Sequence, residues 1–361
     1  MAWWIIYLGA WLGTALLATL LTRVARDLAP RLGFVDIPLN EAHKRHVSAT
    51  PVCGGAAMLS AWLLAIGGGV LAAWLGRGFL PAGVTEHLAN VRAVGGRLAV
   101  LAICVAGMSL LGLLDDRKAL RAWQKFLGQL LFAGVAAAWG MRVTALIPVP
   151  AVNWAITVFW ILLIVNALNF LDNMDGLAGG IAALAAFLFL FIAAARGQHF
   201  VAVLAAATCG TACGFLVYNK PKASIFMGDA GSHFLGFTLA IIGTLTNYYT
   251  EDSRTLAPLL TPILILGLPI FDTCAVVVIR LRLGQPIYKG DNRHISHRFQ
   301  HLGLSRPLAT LLVCLLSFTV GCGAVALLWL PPAGVAVVLL QSALVFAIVS
   351  IIQFYVPKKD S

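Results

Sequence analysis

The chain has 361 residues, 60% of them hydrophobic and only 11% charged, with a formal net charge of +11. Soluble domains are about one quarter charged, so this composition excludes an ordinary water-soluble protein. Long apolar runs such as 1–21 and 154–165 also exclude a barrel of short alternating strands and indicate membrane-spanning helices.

Reading apolar runs against a span of about 20 residues predicts eleven helices. They lie near 3–22, 52–75, 97–114, 125–139, 151–168, 177–194, 199–217, 232–248, 256–280, 308–329 and 333–355. No linker, low-complexity tract or internal repeat divides them, so residues 1–361 read as one integral-membrane domain. The expected fold is an all-α polytopic bundle of about eleven transmembrane helices. The first apolar segment lacks a basic leader region and a small-residue cleavage site, and reads as a retained helix. The seven cysteines fall almost entirely in apolar runs and read as small buried hydrophobes.

Threading the helices alternately sorts the loops by charge. One set carries 19 of the 25 Lys and Arg residues, and the positive-inside rule places it in the cytoplasm. The N-terminus is then outside and the C-terminus inside. The net charge of +11 is accounted for by this asymmetry and by anionic lipids and substrates, so nucleic acid is not an expected partner.

The acidic residues gather on that same face. The first cluster, Asp115-Asp116-Arg117, ends an apolar helix; it suits a divalent cation or proton abstraction, or is simply a solvated helix end. The second runs Asn166-x-x-Asn169-x-x-Asp172-x-x-Asp175-Gly176. Its first three polar residues recur every third position on one helix face, which suits a hard cation or a nucleobase edge. Turn and cap roles would explain Asp175 but not Asn166 and Asn169, one turn deeper in apolar sequence. The third, Phe226-Met-Gly-Asp229-Ala-Gly-Ser232, sets one carboxylate among small residues just before a helix, with Phe226 able to stack on a base or to join the core. The fourth is Lys289-Gly-Asp291-Asn292-Arg293-His294-Ile-Ser296-His297-Arg298. Two histidines and two arginines in six residues suit a diphosphate; a zinc site would need a third ligand that this loop does not offer. His43-Lys44-Arg45-His46 could hold lipid or nucleotide phosphate, or be ordinary positive-inside charge. Asp272 lies nearer mid-helix and reads as a structural partner.

Carboxylates, amides, His and Arg from several loops on one face fit phosphoryl transfer at a membrane-level cleft, with metal and cationic side chains neutralising phosphate charge. A secondary transporter or lipid flippase would instead place acids at helix midpoints and show inverted repeats.

These four motifs, in this order, resemble the polyprenyl-phosphate N-acetylhexosamine-1-phosphate transferases, and the resemblance runs from about His43 to Arg298. It implies a bacterial inner-membrane enzyme in which a polyprenyl phosphate attacks the β-phosphate of a UDP-sugar, releasing UMP. Carried over, Asp229 resembles the Mg²⁺ ligand with Asn169 as its companion, and Mn²⁺ is a candidate substitute. Asp115 and Asp116 match the pair that deprotonates or positions the lipid phosphate, and Lys125 matches a lysine near the phosphates. Asp172 and Asp175 match the nucleoside side of the pocket and Phe226 the uracil-stacking ring, while Asn166, on the same helix stripe, is a further substrate-binding candidate. His294, His297 and Arg298 match the loop contacting diphosphate or sugar; Arg293 beside them and Lys44 and Arg45 in the first loop are further substrate-binding candidates from their charge. The absence of a three-histidine run, and Ala49 where the peptidoglycan branch carries lysine, lean toward UDP-GlcNAc over UDP-MurNAc-pentapeptide. Ser296 departs from the GlcNAc branch, which often has His there. Oligomeric state is left open, with a homodimer one reading.

Overall fold

The computed structural model describes residues 2–36, 49–76, 82–143, 148–249, 255–286 and 293–355, with side chains in 82–94 and at 2, 353 and 355 left aside. His43, Lys44, Arg45 and His46 lie outside the described residues, as do Lys289, Asp291 and Asn292.

The chain is helical nearly throughout. In order come α1 (Ala2–Leu32), α2 (Gly54–Leu75), α3 (Ala82–Arg117), α4 (Ala122–Ala138), α5 (Pro150–Leu171), α6 (Leu177–Ala195), α7 (His199–Asn219) and α8 (Gly228–Leu245). A 3-10 turn (Ala257–Leu260) then leads into α9 (Thr261–Ile265) and α10 (Gly267–Arg282), followed by α11 (Ile295–His301), α12 (Arg306–Ala326) and α13 (Pro332–Tyr355). The only strands described are β1 (Val35–Asp36) and β2 (Thr50–Pro51), an antiparallel pair.

Ten of the eleven predicted spans fall on a single helix each, the ninth, 256–280, is broken into a 3-10 turn, α9 and α10, and several helices run further than their apolar cores. α1 continues ten residues past 22 through Arg- and Leu-rich sequence, and α3 begins at Ala82, so much of the predicted outer loop 76–96 is helical. Hydropathy registers only the part of a helix that sits in lipid, and the polar extension goes unseen. Among the described residues, eight helices are long and apolar enough to cross a membrane, or nine if α9 and α10, bent by 69°, form one broken span. The chain is therefore a multi-pass membrane protein. α4 has only 17 residues, and α8 spends its first turn on polar residues, so both fall short of that test. The break between α9 and α10 falls where Pro262, Gly267 and Pro269 crowd one segment; proline removes a helix hydrogen bond and clashes with the preceding turn.

α6 and α7 form the interior of the bundle, with 72% of their apolar windows buried, against 22% for α1 and α13 at the rim. Around them Trp62, Phe189, Phe215, Phe234 and Phe237 are almost fully buried. Lipid offers no hydrophobic drive between helices, so close approach does the packing. α2 meets α8 backbone to backbone: a Cβ on Gly55 would lie 2.1 Å from the amide nitrogen of Gly231. This contact seats the first turn of α8 against the rest of the bundle. Gly55→Ala is therefore expected to destabilise the protein by about 1–3 kcal/mol. Gly67→Ala, in the same helix with nothing within 4 Å, should change stability by less than about 0.5 kcal/mol. Thermal unfolding of the two variants in one detergent compares them directly.

Candidate active site

The end of α3, the start of α4, the end of α5 and the start of α8 converge. Asp115 in the last turn of α3 accepts the Leu120 amide at 2.7 Å on one oxygen and the Lys125 ammonium at 3.0 Å on the other. Lys125, in the first turn of α4, also donates to Asp229 Oδ2 and to Asn169 Oδ1, the latter at 3.4 Å. Asn169, near the end of α5, returns its amide NH₂ to Asp229 Oδ1 at 2.7 Å and to Ser232 Oγ at 3.0 Å. Two carboxylates and one amide oxygen thus surround a single cationic head, with side chains only 15–29% exposed at Asp115, Lys125 and Asp229.

Asp116 plays a different part. Its two oxygens accept the amides of Asp229 and Ala230 at 2.7 and 3.1 Å, so it caps α8 from a neighbouring helix. Gly228, at φ +63°, makes room: a Cβ there would lie 2.5 Å from the Asp116 carboxylate. The sequence reading places Asp229 just before its helix; it lies in the first turn, with its backbone amide held by this cap.

A cavity of about 1150 Å³ opens beside this cluster, with Asp116 and Asp229 in its wall. Asp172, Asp175 and Phe226 also line it, as do Phe34, Val35 and Asp36 from the β1 segment. Phe226 is pinned through its main chain, donating its amide to Pro51 O at 2.8 Å and accepting the Gly54 amide at 3.0 Å. Asp175 accepts the Lys222 and Ala223 amides, each at 3.1 Å, so it shapes the 221–223 turn as well as facing the cavity. Asp172 caps the end of α5, outside the helix span. Burial first, then the nearby carboxylates of Asp229, Asp116 and Asp175, push its carboxyl up to about 8.

From the fourth motif, only His297 lies in the cavity wall among the described residues. His294 is 3% exposed and sits with Nδ1 2.6 Å from Asp272 Oδ2, while Asp272 Oδ1 accepts the Ile295 amide at 2.8 Å. The mid-helix carboxylate thus anchors α11, and His294 is its strut. Ser296 donates to Asn173 Oδ1 at 2.7 Å, Arg293 reaches Gln285, and Arg298 is 9% exposed, so neither arginine is part of the cavity wall. Asn166 likewise stands off the cavity wall, bonded to Gln129 and to Leu162 O, and of the charge cluster only Asp229 is in that wall, without Asp115, Lys125 and Asn169. Arg117 of the first cluster faces the cavity instead, as do two cations that the motifs do not contain, Lys222 and Arg306. Arg117 stacks over Phe34 at 5.5 Å, so it is part of the wall. For Lys222 and Arg306 the one visible signal in the sequence is a basic residue at a helix edge, which many surface residues share. His233 and Gln129, polar residues inside apolar helices, carry no motif of their own, whereas Ser232 closes the third motif.

The donor set bears on a metal. Hard oxygens of Asp115, Asp229 and Asn169 already converge on one positive charge, and Mg²⁺ takes one or two carboxylates with the remaining positions left to water and substrate phosphate. The residues therefore fit Mg²⁺ or Mn²⁺ once the lysine head turns aside. Among the described residues no group of three or more His, Cys, Asp or Glu side chains forms a metal cage.

With this geometry in place, the relatives bear on what the site belongs to. The model of glycosyl transferase family 4 matches residues 98–247. The chain is 33% identical, over 88% of its length and 84% of the relative's, to the probable undecaprenyl-phosphate N-acetylglucosaminyl 1-phosphate transferase of Bacillus subtilis (strain 168). It is 31% identical, over 94% of its length and 87% of the relative's, to the decaprenyl-phosphate N-acetylglucosaminephosphotransferase of Mycobacterium tuberculosis (strain ATCC 25618 / H37Rv). A phospho-N-acetylmuramoyl-pentapeptide-transferase of Desulforudis audaxviator (strain MP104C) is 32% identical over 83% of this chain and 91% of its own. The chain belongs to glycosyl transferase family 4 and is a membrane-embedded transferase, of the polyprenyl-phosphate N-acetylhexosamine-1-phosphate class.

Two outcomes are expected from the electrostatics. Asp116→Ala removes both acceptors of the α8 cap and should cost about 0.5–2 kcal/mol in detergent unfolding, with Asp116→Asn intermediate. Asp172, whose folded carboxyl titrates above its unfolded one, favours folding while protonated and loses that contribution as pH rises from about 4 to about 8. Asp172→Asn in metal-free buffer should therefore gain stability over the parent protein as pH rises through that window.

Proposed function

We propose that this enzyme transfers N-acetylglucosamine-1-phosphate from UDP-N-acetylglucosamine to undecaprenyl or a related polyprenyl phosphate, yielding the lipid diphosphate sugar and UMP. The observation that carries the reading is the Asp115–Lys125–Asp229–Asn169 charge cluster abutting a large polar cavity walled by Phe226. The Bacillus and Mycobacterium relatives, which align over most of the chain, are named for N-acetylglucosamine transfer to a polyprenyl phosphate. Site and loops then face the cytoplasm of a bacterial inner membrane, with the N-terminus outside, and the product would initiate a cell-envelope polysaccharide.

An oxygen of the lipid phosphate attacks the β-phosphorus of the UDP-sugar, and the bond from that phosphorus to the bridging oxygen breaks as UMP leaves. Bound Mg²⁺ would neutralise the diphosphate and stabilise the charge that develops there. Asp229 and Asn169 are the residues to hold it, with Asp115 alongside. The Lys125 ammonium, carried between Asp115 and Asp229, is the positive charge nearest the proposed metal position and the group to turn toward phosphate oxygens. Asp116, with both oxygens bound to main-chain amides, fixes Asp229 in place; of the two adjacent acids, Asp115 is the one nearer the lysine and thus the candidate to orient or deprotonate the attacking phosphate. Phe226 offers a ring for uracil, and a protonated Asp172 can donate a hydrogen bond to a nucleoside oxygen. Lys222, His297 and Arg306 supply positive or donor groups farther along the cavity for diphosphate and sugar.

The test is purified protein with polyprenyl phosphate and Mg²⁺, assayed for UMP release from UDP-N-acetylglucosamine, UDP-N-acetylgalactosamine and UDP-N-acetylmuramoyl-pentapeptide in parallel. UMP release from UDP-N-acetylglucosamine alone is expected. A preference for the pentapeptide donor would move the enzyme to the peptidoglycan branch, and release from none would overturn the transferase reading. Asp229→Ala should insert normally yet lose Mg²⁺-dependent release by about 100-fold or more. Arg306→Ala should raise the KM for the UDP-sugar with a smaller change in kcat; an unchanged KM removes Arg306 from the donor site.

A further inference from the structure

We infer that His233, relayed through Gln129 and Asn166, is a positioning residue that braces the main chain of Asp229 and so keeps its carboxylate in register for the divalent cation. The inference deepens the proposed metal role of Asp229 and rests on it.

His233 lies four residues after Asp229 in α8 and is fully buried, and Gln129 on α4 is 1% exposed. An imidazole among apolar side chains is costly unless both ring nitrogens are satisfied. Here they are. Nδ1 is 2.6 Å from the carbonyl oxygen of Asp229, and Nε2 is 2.9 Å from the amide nitrogen of Gln129. A carbonyl can only accept, so Nδ1 carries the proton and Nε2 accepts from Gln129. The Gln129 amide oxygen in turn accepts from Asn166 at 2.9 Å, and Asn166 also donates to Leu162 O at 2.8 Å. The two amides also close a pair, with Gln129 donating back to Asn166 Oδ1 at 3.4 Å, and the chain from α5 through α4 to α8 ends on the residue proposed to bind metal.

A merely satisfied core histidine could end on any acceptor. This one completes a set in which every polar atom of Asp229 is held: the amide by Asp116, the carboxylate by Lys125 and Asn169, and the carbonyl by His233 and, at 3.3 Å, by Ser232. α5 reaches Asp229 by two routes one turn apart, directly through Asn169 and indirectly through Asn166. That accounts for Asn166, which the spacing of the second motif places on the ligand-facing stripe but which the cavity does not include. Partners that orient a metal ligand are worth about 10–100-fold in metal affinity.

The experiment uses full-length protein in detergent, with Mn²⁺ as the probe and no UDP-sugar or lipid present. Bound and free Mn²⁺ are separated by electron paramagnetic resonance, beside thermal unfolding and the Mg²⁺ dependence of UMP release. His233→Asn sets an amide where Nδ1 was and keeps the bond to the Asp229 carbonyl. His233→Gln reaches toward the Nε2 position and keeps only Gln129. Expected are a Mn²⁺ affinity weakened by about 10-fold in H233Q, with the Mg²⁺ requirement raised in parallel and the donor KM little changed, and near-parental affinity in H233N. Equal Mn²⁺ affinity in both variants, whether or not unfolding temperature falls, overturns the inference. Should H233Q fail to fold, Gln129→Met, which leaves the ring without its support, must weaken Mn²⁺ several-fold or the inference fails. If the parent protein does not bind Mn²⁺ at all, the metal reading of Asp229 is wrong, and this inference goes with it.

Discussion

The structure turns on one ammonium group. Lys125 stands where two carboxylates and an amide oxygen would otherwise face each other at a lipid boundary, and its charge lets four helix ends close together. Buried charges are tolerated only when paired and hydrogen-bonded. Each member of this cluster has a second tie: Asp115 to the Leu120 amide, Asn169 to Ser232, Asp229 through its main chain to Asp116 and His233. Such a site is preorganised, because the side chains are fixed before any substrate arrives. It is also poised for exchange, since a cation of another kind can take the place of the ammonium among the same oxygens.

The cavity beside it is shaped by main chain more than by side chains. Phe226 is held by the backbone on both flanks of Pro51–Gly54, and the turn after α7 is held by Asp175. The small β1–β2 pair thereby acts as a bracket joining the start of α2 to the start of α8. A glycine contact of backbone on backbone at Gly55 and Gly231 completes the bracket.

Much of this was legible beforehand, for identifiable reasons. Lipid forces apolar runs of a set length, so the helices and the clustering of acids at one end were readable from residue type. Asp115, Asp229, Asn169, Asp172 and Phe226 announced themselves by standing as polar or aromatic residues against apolar or glycine-rich sequence. Lys222 and Arg306 did not, since a cation at a helix edge looks the same whether it faces a ligand or water. Nor could spacing separate His294 from His297. Three residues apart on a loop, they diverge because α11 turns one toward Asp272 and leaves the other in the cavity wall. The division of labour between Asp115 and Asp116 was equally hidden, for it depends on where a distant helix begins.

α11 and the start of α12 rest on their own small core, built of Leu268, Ile295, Phe299, Ala309 and Val313 and separate from the main cluster. His297 and Arg306 are mounted on that block, whereas Asp115, Lys125 and Asp229 are mounted on the other. The two ends of the cavity are thus supported by different clusters, which meet along α5 and α6 through Leu171, Leu177 and Ile181. On the function proposed above, mutational drift in one block would bear first on the sugar end of the cavity and drift in the other on phosphoryl transfer. A scaffold divided in this way is suited to diversification: related enzymes can share one reaction and part company over the donor.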